Sequence, residues 1–183
     1  PTFEDGPTEV NARMTFGSFG TYLPYVGLKQ KIGSRYAVKA AANGTFSKGD
    51  YQFLLQNGQI TTHEKRINSD VESYGAEADF YADWASKGKL KAKVNFHSSE
   101  RGLPGSVVLY TQNAYERLWD RSVISNIMYD LNLGERWKFH ADAGFTSSFN
   151  RHLNTDPIYP EDQDSRYTQN EYSLAVRSLY EPG

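Results

Sequence analysis

The amino-acid sequence predicts an all-β chain, an antiparallel up-and-down meander of about eight strands. Three observations carry that prediction. Apolar and polar residues alternate with a period of two, connections are tight at one end and long at the other, and aromatic rings gather at strand ends. The alternation is clearest in Lys89-Leu90-Lys91-Ala92-Lys93-Val94-Asn95-Phe96-His97, which places the apolar side chains on one face and the polar ones on the other. A strand has this period, whereas a helix would spread the lysines around its circumference.

Taken in order, the first three strands fall in 8–16, 22–32 and 35–46. In the fourth, Tyr74, Ala76, Ala78, Phe80, Ala82 and Trp84 alternate with Gly75, Glu77, Asp79, Tyr81 and Asp83. The fifth is the lysine-rich stretch 89–97 and the sixth lies in 122–133. In the seventh, Trp137, Phe139, Ala141, Ala143 and Phe145 alternate with Lys138, His140, Asp142 and Gly144. The eighth covers 171–181. No stretch has the spacing of an amphipathic helix.

Gly33-Ser34, Ala85–Gly88 and Gly134–Arg136 have the composition of tight polar turns. The junctions 47–70, 100–120 and 147–169 are long, and loops beyond about 12–15 residues usually carry function. Because strands alternate in direction, the long loops all fall at one end and the tight turns at the other. An outer-membrane β-barrel is laid out this way, with short periplasmic turns and long outer loops. A soluble up-and-down barrel can be laid out the same way.

The rings bear on that choice. Tyr36, Trp84, Trp137 and Tyr180 lie on the apolar face beside the short turns, and Phe16, Tyr22, Phe46, Tyr74, Phe96, Phe145 and Tyr172 lie on or near it at the other end. Ten steps from Tyr74 to Trp84 span roughly 25 Å in a tilted strand, the height of an apolar band between aromatic girdles. A sandwich core would concentrate its rings mid-strand. The opposite face carries Lys29, Lys31, Lys39, Glu77, Asp79, Asp83, Lys89, Lys91, Lys93 and Asp142. A small closed barrel would have to pair such charges inside a packed interior. A wide barrel holding water or a polar domain would not, which favours a segment of a large barrel.

Composition narrows the function. With 20 Lys+Arg against 22 Asp+Glu the net charge is −2, which excludes a broadly basic nucleic-acid binder. The absence of cysteine excludes disulfides, thiolate metal sites and a cysteine nucleophile. The longest apolar runs, such as Val107–Tyr110, are far too short for a membrane-spanning helix. The four histidines are scattered, without HExxH or i, i+4 pairing. Glu77 and Asp79 share a strand face and have the spacing of acid/base carboxylates, but with Lys89–Lys93 on the next strand they are expected to form cross-strand charge pairs.

Two stretches resemble a known family. Glu9-Val10-Asn11-Ala12-Arg13-Met14-Thr15-Phe16-Gly17-Ser18-Phe19-Gly20-Thr21 resembles the first barrel strand and hairpin of TonB-dependent outer-membrane receptors. Phe96-His97-Ser98-Ser99-Glu100-Arg101-Gly102-Leu103-Pro104-Gly105, followed by Tyr115-Glu116-Arg117-Leu118-Trp119-Asp120, resembles the third-loop region of such receptors from Bacteroidetes. The resemblance implies that residues 1–183 are a partial barrel domain, the N-terminal part of the barrel without its plug and C-terminal strands. It implies energised import of a scarce nutrient, such as a ferric siderophore, haem or cobalamin, by a protein that is not an enzyme. The implied partners are the outer-membrane bilayer, the receptor's own plug and remaining strands, TonB reached through the plug, and a metal-chelate ligand; nucleic acid is not among them.

The long loops hold the candidate ligand residues. Tyr51 lies in the first, Arg101, Tyr110, Tyr115 and Arg117 in the second, and Tyr159 in the third. Rings beside arginines suit a planar chelate, through stacking and directional hydrogen bonds; rings packing the loops onto one another would have the same composition. Asp156, Glu161, Asp162 and Asp164 bring four carboxylates into nine residues, a density of hard oxygen ligands that suits calcium, though without EF-hand spacing. No other cofactor is expected. Two alternatives stay open: a complete eight-stranded outer-membrane barrel that anchors or adheres, in which the first and last strands pair, and a soluble β-barrel that binds a small ligand.

Overall fold

The computed structural model describes residues 7–85, 88–105, 107, 114–134 and 136–181. Its strands are β1 (Glu9–Gly17), β2 (Thr21–Ile32), β3 (Tyr36–Ser47), β4 (Gln52–Asn57), β5 (Ile60–Lys65), β6 (Val71–Asp83), β7 (Lys89–Leu103), β8 (Glu116–Leu133), β9 (Trp137–Asn154) and β10 (Gln163–Tyr180). Eight of them form one antiparallel meander, ordered β1-β2-β3-β6-β7-β8-β9-β10, and β4 and β5 form a separate hairpin within the first long loop. The fold is all-β, as the alternation predicts.

Register preserves the two faces across the whole sheet. On one side Leu28, Ala40, Ala78 and Val94 lie opposite one another in succession. One residue along, Lys29, Lys39, Asp79 and Lys93 do the same on the other side. A slip of one residue would send every charge to the apolar side, so the pattern itself pins the pairing.

The apolar side has no second layer. Among the described residues the only buried hydrophobic side chains are Ala37 and Ala82, while Val10, Met14, Val26, Ile127, Leu174 and Val176 are exposed. The accessible surface is 12959 Å². A compact monomer of this mass would expose about 8,900 Å². The sheet is also open: β1 and β10 are its edges and do not pair with each other. Nine-residue β1 is exposed throughout and eighteen-residue β10 nearly so.

Two rows of rings border the apolar side. At the tight-turn end Trp137 packs on Tyr180 at 4.9 Å, and Tyr36 lies 6.1 Å from Phe80 and 6.4 Å from Trp84. At the long-loop end Tyr22 stacks on Phe46 at 4.7 Å, Phe46 meets Tyr74 at 5.3 Å, and Phe145 meets Tyr172 at 5.0 Å.

The polar side is knitted by charge. Lys39 Nζ donates to Glu77 at 2.8 Å and lies 4.0 Å from Asp79; Lys93 reaches the same two carboxylates at 3.9 and 3.8 Å. Glu77 and Asp79 therefore make the expected cross-strand pairs, from both neighbouring strands. Lys89 pairs with Asp83 at 3.1 Å, and His140 with Asp130 at 2.7 Å.

Strands β7 to β10 correct the sequence reading. They continue well past the upper ring row, so Glu100–Leu103, Glu116–Asp120, Ser147–Asn154 and Gln163–Gln169 are strand rather than loop. The second and third long loops shrink accordingly.

Candidate functional site

The long-loop end of the sheet is a rim where strands β6 to β10 rise beyond the upper rings. Here the side that is apolar lower down turns polar. Glu72, Glu100 and Trp119 are in register along it, followed by Arg151 and Arg166. The opposite side of the rim holds Arg101, Asp120, Asn150 and His152.

The first long loop is fastened to this rim by its last residues. Asn68, with φ of 51°, donates from Nδ2 to the carbonyls of Leu103 at 3.0 Å and Glu116 at 2.7 Å. It thereby bridges the ends of β7 and β8. Arg66 donates to the Gly105 carbonyl at 2.9 Å, and the Gly102 N–H donates to Asp70 at 2.9 Å. Gly102 must be glycine for this approach, because a Cβ there would lie 2.4 Å from the Asn68 carbonyl oxygen.

Arg117 is the hub. Its guanidinium donates to both oxygens of Asp70, at 3.3 and 2.8 Å, and to Glu100 at 2.9 Å. The hydrogen bond from Arg117 holds the Asp70 carboxyl below its ordinary range, against partial burial acting the other way. A depressed carboxyl contributes stability above its unfolded value of about 3.9 and loses it as pH falls through the folded value. The loop is therefore expected to stay docked at neutral pH and to release below about pH 4, read by protease cleavage within 48–70. Arg117→Ala is expected to release it at neutral pH, since it leaves two carboxylates facing each other, at a cost of about 1–3 kcal/mol. Cleavage independent of pH and of Arg117 would show that the other contacts suffice.

The predicted ligand residues are not gathered into one pocket. Arg101 and Arg117 stand on strands and on opposite sides of the sheet, Arg101 paired with Asp120 at 3.1 Å. Tyr51 packs its ring on Phe19 at 5.3 Å and Phe53 at 6.0 Å, joining the first long loop to the β1–β2 turn. The Tyr115 carbonyl accepts from the Thr155 N–H at 3.3 Å, and the Tyr159 N–H donates to the Asp156 carbonyl at 3.0 Å, leaving the Tyr159 side chain exposed. Tyr110 lies outside the described residues.

The acidic run does not converge. Asp164 is already held by Arg151 at 2.8 and 2.9 Å and by Arg166 at 2.5 Å, which together keep its carboxyl far below the ordinary range. The Asp156 carboxylate caps its own turn by accepting from the Ile158 N–H at 3.0 Å. Glu161 and Asp162 are exposed. Among the described residues no three His, Asp or Glu side chains come together as a metal cradle.

Asn68, Asp70, Glu100 and Asp120 organise the rim, and none of them stands out in the sequence. The one usable sign is the turn-forming run Asn68-Ser69-Asp70, whose first residue tolerates positive φ. A cavity of about 520 Å³ opens on the polar side lower down, lined among others by Arg13, Tyr25, Asn43, Glu77 and His97. Arg13 lies over the Tyr25 ring there, 5.5 Å from its centroid. Comparison with known proteins finds no family model that matches the chain and no curated protein that matches its sequence.

Proposed function

We propose that this chain is a wall segment of a wide outer-membrane β-barrel, of the TonB-dependent receptor kind, serving import of a scarce nutrient such as a ferric siderophore, haem or cobalamin. One observation carries the reading. The sheet leaves its apolar side bare between two rows of rings and turns its charges to the other side, the reverse of a protein that folds around an apolar core in water. Tyr36 to Phe46 is ten steps along β3, which spans roughly 25 Å at the usual tilt and matches the apolar band of such barrels. The open β1 and β10 edges favour a segment over a small closed barrel, since exposed edges of this length invite pairing with further strands.

The side of the rim that carries Arg101, Asp120, Asn150 and His152, with the Arg13–Tyr25 cavity, would line the outer vestibule and the inner wall. Binding and release there need no covalent chemistry. An antibody against 155–162 should detect the native protein in the outer membrane at several times the 20.7 kDa of this stretch. Deleting its gene should slow growth when iron or cobalamin is limiting. A band near 20.7 kDa in the soluble fraction would overturn the proposal.

A further inference from the structure

Just above the upper ring row, the lipid-facing side of the rim carries an arginine cluster that the transport reading does not use. Ser98, Arg121, Phe149 and Thr168 form one row across β7 to β10, and Glu100, Trp119, Arg151 and Arg166 form the next. Between them lies a cavity of about 270 Å³. Arg151 stands over the Trp119 ring at 4.8 Å and opposes Arg166 directly across the β9–β10 pair. Like charges placed so are destabilising unless an anion lies between them. Asp164 serves both, but it is one carboxylate for two guanidiniums. Arg121 is exposed and has no ion pair among the described residues.

Glu100 lies in the same row but is bonded to Arg117, which it shares with Asp70, and the Asp120 carboxylate turns to the other side of the sheet, where Arg101 and Asn150 hold it. Within the cluster itself three arginines meet one acid, a local excess of about +2 beside a Trp and a Phe, at the depth where apolar chains would give way to headgroups.

We propose that Arg121, Arg151 and Arg166 bind the phosphate of an anionic lipid headgroup, with Trp119 and Phe149 packing against its apolar part. Arginine suits this role because its planar fork donates two parallel hydrogen bonds to phosphate oxygens. The inference rests on the membrane reading of the apolar side, and it adds a lipid that would fix the height and tilt of this wall.

The test uses the full native protein extracted in neutral detergent. Thermal midpoints are measured while phosphatidylglycerol, phosphatidylcholine or inorganic phosphate is titrated into the micelles. Phosphatidylglycerol should stabilise the native protein and phosphatidylcholine and inorganic phosphate should not. R121Q/R166Q, which leaves the Arg151–Asp164 pair intact, should weaken the apparent affinity about 30-fold, ~5-fold for each arginine near a charged surface. R121K/R166K should recover most of it. Equal response of the native protein and R121Q/R166Q would overturn the site while leaving the membrane reading untouched. Equal stabilisation by inorganic phosphate would make it a free-anion site and overturn the lipid assignment. Recovery of the protein without detergent, in the soluble fraction, would instead overturn the membrane reading.

Discussion

Arginine placed at Ala78 is expected to cost ~2–4 kcal/mol and to block assembly in the membrane. Ala78 sits mid-band, opposite Ala40 on β3 and Val94 on β7, with its side chain exposed on the bare side. Ala141, opposite Tyr129 and Val176, is the equivalent position on β9. A bilayer penalises charge by depth, so the same change at Ser147, one row beyond the Phe145–Tyr172 rings, should cost only about 0–1 kcal/mol. Lys91→Arg, on the charged side, should leave assembly unchanged. The folded fraction in membranes, read by protease resistance and heat-modifiable gel mobility, separates the outcomes. A uniform cost at Ala78, Ala141 and Ser147 would mean that protein rather than lipid covers the apolar side.

The contrast between the two faces explains which parts of the fold were legible in the sequence. Between the ring rows one face is apolar and the other charged, so the residues alternate. There the predicted strands 22–32 and 35–46 lie within one residue of β2 and β3. Above the rings both faces are polar, the contrast vanishes, and Ser147 to Asn154 looks like loop although it is eight residues of ladder. The β4–β5 hairpin was missed for another reason. Asn57-Gly58 is a strong short hairpin signal, and Gly58 does take φ of 62°, but its flanks Gln52–Asn57 and Ile60–Lys65 alternate poorly. The site was less legible than the fold. Arg101 and Arg117 both stand on the rim, yet only the pairing register, which sets Arg101 opposite Leu118 and Arg117 opposite Gly102, shows that they fall on opposite sides. Their acidic partners come from 47 and 19 residues away, as Asp70 for Arg117 and Asp120 for Arg101. No local pattern encodes such pairs.

Gly49→Ala should free the first long loop from the rim. Gly49 holds φ of 63°, donates its N–H to the Phe19 carbonyl at 3.3 Å and the Ser47 hydroxyl at 3.2 Å, and accepts from the Ser69 hydroxyl at 2.6 Å. It thus ties the β1–β2 turn, the end of β3 and the segment entering β6 at one point. A Cβ there would lie 2.0 Å from the Ser69 carbonyl oxygen, a backbone atom that cannot swing aside. Left-handed strain in a non-glycine residue costs about 1–3 kcal/mol, and the clash adds ~1–3 kcal/mol. Gly58 separates the two contributions, since it has nearly the same φ with nothing within 4 Å of a Cβ. Gly58→Ala should therefore show the strain alone. Trypsin cleavage after Lys48, Lys65 and Arg66 should rise steeply in Gly49→Ala and modestly in Gly58→Ala, while the eight-stranded sheet stays resistant in both. Equal cleavage in the two variants would mean that backbone strain, not the knot at Ser69, controls the loop, and that Asn68 and Arg117 hold it to the rim without help from β3.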